Sequence, residues 1–294
     1  MGSERLAELL RQRISNRYEE MRRTVWPSAG GTPNEGTAVV TVNHNTCQLI
    51  SFLVFSLCRV LPPGQVREIV VVDNKSTDDS LAFLRALHDA GVVSLVRSRV
   101  SPYHGPGLNR GLSFVARRQR RDHIRFVWVL DSDAIVLRHD TLTHAQEVMS
   151  HSAAALLGQD GHVASLMIDP AQVWQRSVPP FRRHGEPANA MRRSLRDRRA
   201  ILADFPFFES EYVLHLGTGT LQQVAARGER RNPLFAWALE NRTHHYHGSP
   251  RGAERLAVFR QWFDAEVGSF TPENLVSSCL RVGGMPPELA GDIR

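Results

Sequence analysis

The sequence predicts an α/β fold: a mixed, mostly parallel sheet flanked by helices. Short apolar runs rich in valine and isoleucine alternate with longer segments in which apolar residues recur at helical spacing. That alternation is typical of parallel strands joined by helical crossovers. In addition, polar residues follow directly after several of the apolar runs. Open α/β sheets bind their ligands at the carboxyl ends of the strands, so these polar residues are candidate site residues.

The strands of the first half are predicted where β-branched runs are short, and the helices where apolar residues return every three or four positions. The predicted strands are Thr37–Val42, Glu68–Val72, Val92–Val96 and Ile124–Leu130. The predicted helices are Asn45–Val60, Thr77–Ala90 and Gly107–Arg120. For the second helix, Ser76 or Thr77 is the expected N-cap, since acidic residues fill the first turn.

The flanking regions are less regular. Residues 1–36 are predicted to hold an amphipathic helix, residues 4–24, followed by a linker; the helix would pack on the body of the protein or on a second copy in a homodimer. Residues 37–140 hold the regular alternation, and residues 141–294 form the second half with a C-terminal helical region. In that half the predicted elements are strands at His162–Ile168 and Tyr212–Leu216 and a helix at Arg251–Val267. Val178–Arg199, rich in arginine, is predicted to be mobile or solvated.

Composition excludes some classes of protein. The chain has 294 residues, of which 42% are hydrophobic, and a net charge of +6. No apolar run approaches the ~20 residues of a membrane span, and no secretion signal is recognisable at the start, so a cytoplasmic location is expected. The positive charge would attract a nucleotide, an anionic lipid or a nucleic acid. Because no stacking aromatics interleave with the arginines, nucleic-acid binding is not expected.

The segment Asp131-Ser132-Asp133 is the strongest indication of function. It follows the buried strand Phe126–Leu130, so two carboxylates stand just past a strand's carboxyl end. Mg²⁺ and Mn²⁺ prefer oxygen ligands, and substrate phosphates often complete their coordination. This pattern therefore predicts a site for a divalent metal and a nucleoside diphosphate.

Three further segments carry polar groups to the same end of the predicted sheet: Thr41–Asn45, Val70–Asp78 and Gly105–Gly111. In these segments, taken with Asp131–Asp133, the sequence resembles the family 2 glycosyltransferases, which have the GT-A fold. The resemblance implies that residues 37–140 are the nucleotide-sugar-binding half and residues 141–294 the acceptor-binding half. It implies donor-binding roles for Val42, Asn43, Asn45, Asp73, Asn74, Gly107, Asn109, Asp131 and Ser132.

The resemblance also implies a metal, Mn²⁺ or Mg²⁺, held by Asp131 and Asp133. Many GT-A enzymes complete the metal site with a C-terminal histidine, for which His245 and His247 are the candidates in a histidine-rich segment. A surface loop is the alternative for that segment. Arg251 could hold the leaving diphosphate. His215 is left open between a metal ligand and a buried structural histidine.

Inverting transfer requires a base that deprotonates the acceptor hydroxyl. Family 2 enzymes use a carboxylate well after the Asp-X-Asp motif, and the aromatic segment around residue 208 supplies several. An apolar surrounding would raise a carboxyl pKa by desolvation. The candidate catalytic bases are Glu209 and Glu211, with Asp204 behind them.

The expected activity is metal-dependent transfer of a sugar from a nucleoside-diphosphate sugar, UDP favoured, to an unknown acceptor hydroxyl with inversion. One alternative is a sugar-phosphate nucleotidyltransferase, although the turn after the first strand lacks the expected glycine-rich phosphate loop. The other is a degenerate GT-A protein that binds a nucleotide-sugar without turnover.

Overall fold

The structure is a computed structural model that describes residues 36–98, 103–122, 124–159, 164–175, 181–182, 188–217 and 250–289. The predicted N-terminal helix at residues 4–24 lies outside the described residues. Among the helices that are described, none combines the length and apolarity needed to cross a lipid bilayer.

Seven of the described strands form one mixed sheet: β1 (Gly36–Asn43), β2 (Val66–Asp73), β3 (Ser94–Arg97), β4 (Ile124–Leu130), β6 (Leu156–Gly158), β7 (Ser165–Ile168) and β8 (Leu202–Ala203). Their order across the sheet is β3–β2–β1–β4–β7–β6–β8. The first four in chain order pair in parallel. Only β7 runs against its neighbours β4 and β6, while β8 is parallel to β6. The predicted fold class, a mixed and mostly parallel sheet flanked by helices, is therefore confirmed.

Helices cover both faces of this sheet. They are α1 (Cys47–Arg59), α2 (Ser80–Asp89), α3 (His104–Asp122), α4 (Thr141–Ser152), α5 (Pro170–Gln175), α6 (Asn189–Asp197), α7 (Pro250–Val267) and α8 (Pro272–Leu280), with a 3₁₀ turn at Pro287–Leu289. Alternate residues of each central strand point to opposite faces: Val39 joins the core with α1 and α7, and Val40 joins the core with α3. Because both faces are buried, these strands are continuous apolar runs.

One prediction for the second half is wrong. Val178–Arg199 was expected to be mobile or solvated, yet it contains α6. Met191 and Leu195 stand one helical turn apart and are fully buried against the sheet, which anchors the helix. The prediction was wrong because it rested on the many arginines of the segment and not on the spacing of these two apolar residues. The strands of residues 156–203 join the sheet begun by β1, while the domain bounds at residues 36 and 140 stay a prediction.

A separate two-stranded ribbon completes the described strands. It consists of β5 (Ala134–Val136) and β9 (Val213–His215), which pair antiparallel. Since β5 begins directly after Asp133, the ribbon brings a segment some eighty residues downstream next to the Asp-X-Asp motif.

Candidate active site

The carboxyl ends of the central strands meet at one edge of the sheet. In the β1–β2 pair, Asn43 stands opposite Asp73 at the last position of each strand. Strand β4, on the other side of β1, ends at Leu130 and leads into Asp131. The predicted convergence of these segments at one edge is therefore present in the structure.

Hydrogen bonds join the three strand ends. The Asn43 amide Nδ2 lies 3.4 Å from Asp73 Oδ1 and 3.0 Å from Ser76 Oγ. Thr46 Oγ1 donates to Asn43 Oδ1 at 2.6 Å and lies 3.3 Å from Ser132 Oγ. Asn43 is fully buried and Asp73 is 2% exposed, so this network forms the floor of the site.

Asn45 and Asn74 shape the loops beside this floor. Asn45, whose φ of 53° is in the left-handed region, accepts backbone N–H groups of Thr77 at 2.6 Å and Asp78 at 3.4 Å through Oδ1. The following helix, α2, begins at Ser80 with Asp79 at its N-cap, so the expected N-cap at Ser76 or Thr77 is wrong. Asn74 Nδ2 donates to the carbonyl oxygen of Tyr103 at 3.0 Å.

The glycines at the start of α3 serve helix packing. A Cβ at Gly107 would lie 2.9 Å from side-chain atoms of Val42 and Asn74, and one at Gly111 would lie 2.5 Å from Val40 Cγ1. The two glycines thus let α3 lie directly on β1 and β2. Contact of Gly107 and Val42 with the donor stays a prediction.

Asn109 has a structural task that its sequence context did not indicate. Its Nδ2 donates to the carbonyl oxygen of Phe181 at 2.8 Å, and its Oδ1 accepts the Phe181 N–H at 2.9 Å. Both halves of the amide are therefore engaged with one backbone unit. Contact of Asn109 with a donor sugar stays a prediction.

Two carboxylates and an imidazole form the centre of the site. His215 Nε2 lies 3.0 Å from Asp133 Oδ1 and 3.5 Å from Asp131 Oδ2. One candidate ligand atom from each of the three residues lies within 4.8 Å of the others. The β5–β9 ribbon causes this proximity, because Ala134 pairs with His215.

Burial and charge act against each other in this cluster. Burial alone would lower the pKa of His215, which is 8% exposed, but the charge of Asp133 and hydrogen bonds that the imidazole donates to both carboxylates raise it from 6.5 to about 10. Burial would likewise raise the pKa of Asp131, but hydrogen bonds with His104 and His215 hold it well below its usual range. Without a metal, the cluster is therefore an imidazolium between two carboxylates.

The donor set fits a divalent cation. Carboxylate oxygens suit Mg²⁺ and Mn²⁺, and an imidazole nitrogen is compatible with Mn²⁺. The Asp133 side chain is 9% exposed, whereas that of Asp131 is 28% exposed, so Asp131 faces the open side of the cluster. Asp131, Asp133 and His215 would hold the metal, with the His215 imidazole neutral.

A second histidine touches the cluster from α3. His104 Nε2 lies 3.3 Å from Asp131 Oδ1, whereas His215 contacts Oδ2. His104 was not among the predicted site residues. Its place as the first residue of α3, directly before the glycine-rich segment Gly105–Gly111, was the available signal.

The predicted catalytic bases differ in their surroundings. Glu211 Oε2 is paired with Arg255 Nε at 2.8 Å, which gives this carboxylate a structural partner. Asp204 follows β8, three strands from β4, and is therefore roughly 14 Å away along the sheet. Glu209 is exposed and follows Phe208, whose ring centroid lies 6.1 Å from that of His215.

Gln159 holds the segment that carries Glu209. It is 5% exposed, and its Oε1 accepts the N–H of Phe208 at 2.8 Å and that of Glu209 at 3.4 Å. Arg192 Nη2 donates to the carbonyl oxygen of Gln159 at 3.2 Å. Sequence reasoning missed both residues, because nothing in the local pattern links residue 159 to residue 208.

The predicted C-terminal metal ligands, His245 and His247, lie outside the described residues. Arg251 belongs to α7, but its side chain is also outside the described part of the chain. The sequence left His215 open between a metal ligand and a buried structural histidine. In the structure its imidazole lies beside the carboxylates of Asp131 and Asp133.

One family model matches the part of the chain that carries Asn43, Asp73, Asp131 and Asp133. Residues 38–172, just under half of the chain, match the model of the family described as Glycosyl transferase family 2. A comparison with curated proteins finds no match.

Several solved structures are similar at low identity. S. aureus TarS 1-349 is 16% identical to this chain, with a TM-score of 0.45. The alignment covers 58% of this chain and 58% of the TarS chain, which is less than two thirds of its length. The mannosyltransferase PcManGT from Pyrobaculum calidifontis, in complex with GDP-Man and Mn²⁺, is 15% identical with a TM-score of 0.47, covering 92% of this chain and 93% of its own. Glucosyl-3-phosphoglycerate synthase from Mycobacterium tuberculosis, in complex with Mn²⁺, UDP and glucosyl-3-phosphoglycerate, is 18% identical with a TM-score of 0.44, covering 61% and 75%.

The order of the strand-end motifs, the mixed sheet and the matched segment agree with one another. The resemblance to the family 2 glycosyltransferases inferred from the sequence is confirmed over residues 38–172 by the matching family model.

Proposed function

We propose that the chain transfers a sugar from a nucleoside-diphosphate sugar, UDP favoured, to an acceptor hydroxyl, with a divalent metal and with inversion. The carboxylate–histidine cluster of Asp131, Asp133 and His215 carries this proposal. The cluster lies at the carboxyl edge of the sheet, where open α/β sheets bind ligands. Asp131 and Asp133 are within the segment that matches the family model, and His215 is outside it. A bound Mn²⁺ or Mg²⁺ would stabilise the charge on the departing diphosphate.

The donor would lie across the ends of β1 and β2. There, the carboxylate of Asp73 could accept hydrogen bonds from the imide N–H of uracil or from a ribose diol. Asp73 is 2% exposed, so donor binding requires a local rearrangement that uncovers its carboxylate. Uracil and thymine both carry the imide N–H, and dTDP lacks the ribose diol, so the two contacts together favour UDP.

The acceptor would approach from the side of Phe208. We assign the base to Glu209, because Glu211 is engaged by Arg255 and Asp204 lies at the far end of the sheet. Glu209 takes the acceptor proton while the acceptor oxygen attacks the anomeric carbon and the bond to the diphosphate breaks. Gln159 fixes the backbone that carries Glu209.

The test is a thermal-shift screen with UDP, GDP, dTDP and CMP, each with and without Mn²⁺, followed by an assay for UDP release from UDP-sugars. A ligand at about a hundredfold its Kd stabilises a protein by about 2.7 kcal/mol. UDP with Mn²⁺ should raise the melting temperature, and Asp133→Asn should abolish both this rise and UDP release. The matched control is Asp264→Asn, because Asp264 is an exposed aspartate on α7.

Each other result would count against a part of the proposal. A shift with GDP alone would overturn the uracil preference. Pyrophosphate release from a nucleoside triphosphate and a sugar phosphate would indicate a nucleotidyltransferase. Donor binding without release of UDP at any acceptor would favour a binding protein.

A further inference from the structure

Asp131 has a different histidine near each of its carboxylate oxygens. His215 Nε2 lies 3.5 Å from Oδ2, and His104 Nε2 lies 3.3 Å from Oδ1. Only His215 belongs to the group of mutually close ligand atoms found in the described part of the chain. His104 thus contacts a candidate metal ligand from outside the ligand set.

The fold fixes the place of His104. It is the first residue of α3, and the carbonyl oxygen of the preceding residue, Tyr103, accepts a 3.0 Å hydrogen bond from Asn74. The next residue, Gly105, has no room for a Cβ, which would collide with the carbonyl oxygen of Arg182. The backbone on both sides of His104 is therefore held, and the side chain is 39% exposed at the open side of the cluster.

We propose that His104 is a positioning residue that occupies Asp131 Oδ1 and leaves Oδ2 for the cation, which makes the site selective for small divalent cations. This proposal rests on the proposed metal-dependent function. A hydrogen bond to one carboxylate oxygen favours metal binding through the other oxygen. The contacts on the two oxygens match that division, because Oδ2 contacts His215 of the ligand set and Oδ1 contacts His104.

The consequence for selectivity follows from coordination chemistry. Mg²⁺ demands near-ideal octahedral geometry, whereas Ca²⁺ takes more oxygen ligands and accepts bidentate carboxylates. If His104 were removed, Asp131 would be free to rotate and offer both oxygens. The loss should therefore weaken binding of Mn²⁺ and Mg²⁺ more than binding of Ca²⁺.

The experiment measures metal binding rather than turnover. Mn²⁺ is titrated into the full chain by electron paramagnetic resonance, and Mg²⁺ and Ca²⁺ are then competed against it. Loss of a residue that orients a metal ligand typically costs 10–100-fold in affinity, so His104→Ala should weaken Mn²⁺ by about that factor. The preference for Mg²⁺ over Ca²⁺ should fall in parallel.

Two variants distinguish positioning from a structural role. His104→Gln carries an amide N–H at a reach similar to that of imidazole Nε2, so it should restore both affinity and selectivity. The matched control is His151→Ala, because His151 is an exposed histidine on α4 outside the site. Its Mn²⁺ affinity should equal that of the unaltered chain.

Two results would overturn the proposal while the proposed function stands. One is an unchanged Mn²⁺ affinity in His104→Ala while Asp133→Asn abolishes binding. The other is a His104→Gln variant as weak as His104→Ala, which would indicate that His104 only supports the helix. If the unaltered chain bound no Mn²⁺, the metal-dependent function would fail, and the positioning role would fail with it.

Discussion

Metal binding at the carboxylate–histidine cluster should expel a proton. The pKa of His215 is raised to about 10, so this imidazole is protonated at neutral pH when no metal is present. An imidazole must be neutral to bind a metal. Binding of Mn²⁺ at pH 7 should therefore release one proton from His215, and His215→Asn should release none.

The size of the effect follows from the pKa. The proton is held at every pH below about 10, so the cation competes with it and the apparent affinity rises as the pH rises. One displaced proton gives about a tenfold gain per pH unit, or roughly thirtyfold from pH 6.5 to pH 8. At pH 7 the competition costs about 4 kcal/mol of the binding free energy. Because His215 is only 8% exposed, solvent screening reduces this cost little.

Isothermal titration calorimetry at pH 7 measures the released proton directly. The observed enthalpy is compared in two buffers with different ionisation enthalpies, and the slope gives the number of protons. The control is His144→Asn, because His144 is 42% exposed and pairs with Asp140 and Tyr212 outside the site. It should release the same proton as the unaltered chain.

The reasoning would be refuted in either of two ways. A buffer-independent enthalpy for the unaltered chain would mean that His215 is already neutral or does not bind the metal. Equal proton release from the unaltered chain and from His215→Asn would place the proton on another group.

Two predictions concern packing around the site. Gly111→Ala would place a Cβ 2.5 Å from Val40 Cγ1, so it should lower the free energy of unfolding by about 1–3 kcal/mol, whereas Arg110→Ala on the same helix should not. Thermal denaturation measures both, and an unchanged melting temperature in Gly111→Ala would contradict the close helix–sheet contact. Gln159→Ala leaves two backbone N–H groups without their acceptor, at about 1–3 kcal/mol each if they stay buried, and should lower kcat without changing Mn²⁺ affinity. Gln159→Glu keeps an acceptor oxygen and should retain more of the stability, so a Glu variant no better than the Ala variant would argue against this contact.

Much of the central sheet could be predicted from the sequence. Strand β4 was predicted with the bounds it has, Ile124–Leu130, because a buried strand is a continuous apolar run that ends where polar residues begin. The approach of Asn43, Asp73 and Asp131 to one edge followed from the same pattern, since parallel strands end on the same side. These are local properties combined with one rule of topology.

The second half was harder because its elements are short. Strands β6 and β8 have three and two residues, which is too few to show any period. Their positions depend on pairing with strands far away in the chain. In α6, five buried positions share the helix with exposed arginines, so composition predicted solvation where packing created a helix.

The sequence by itself determined the chemistry available: an Asp-X-Asp pair after a buried strand, inside the segment that matches the family 2 glycosyltransferase model. Among the described residues, only the tertiary structure decided which histidines lie beside this pair. The antiparallel pairing of β5 with β9 places His215 beside Asp133. His104 contacts Asp131 because α3 packs on β1 and β2. Gln159 hydrogen-bonds the backbone of Phe208, which is far away in the chain. The spacing of apolar residues over a short stretch indicates a strand or a helix. The set of metal ligands instead depends on pairing between segments that are far apart in the chain.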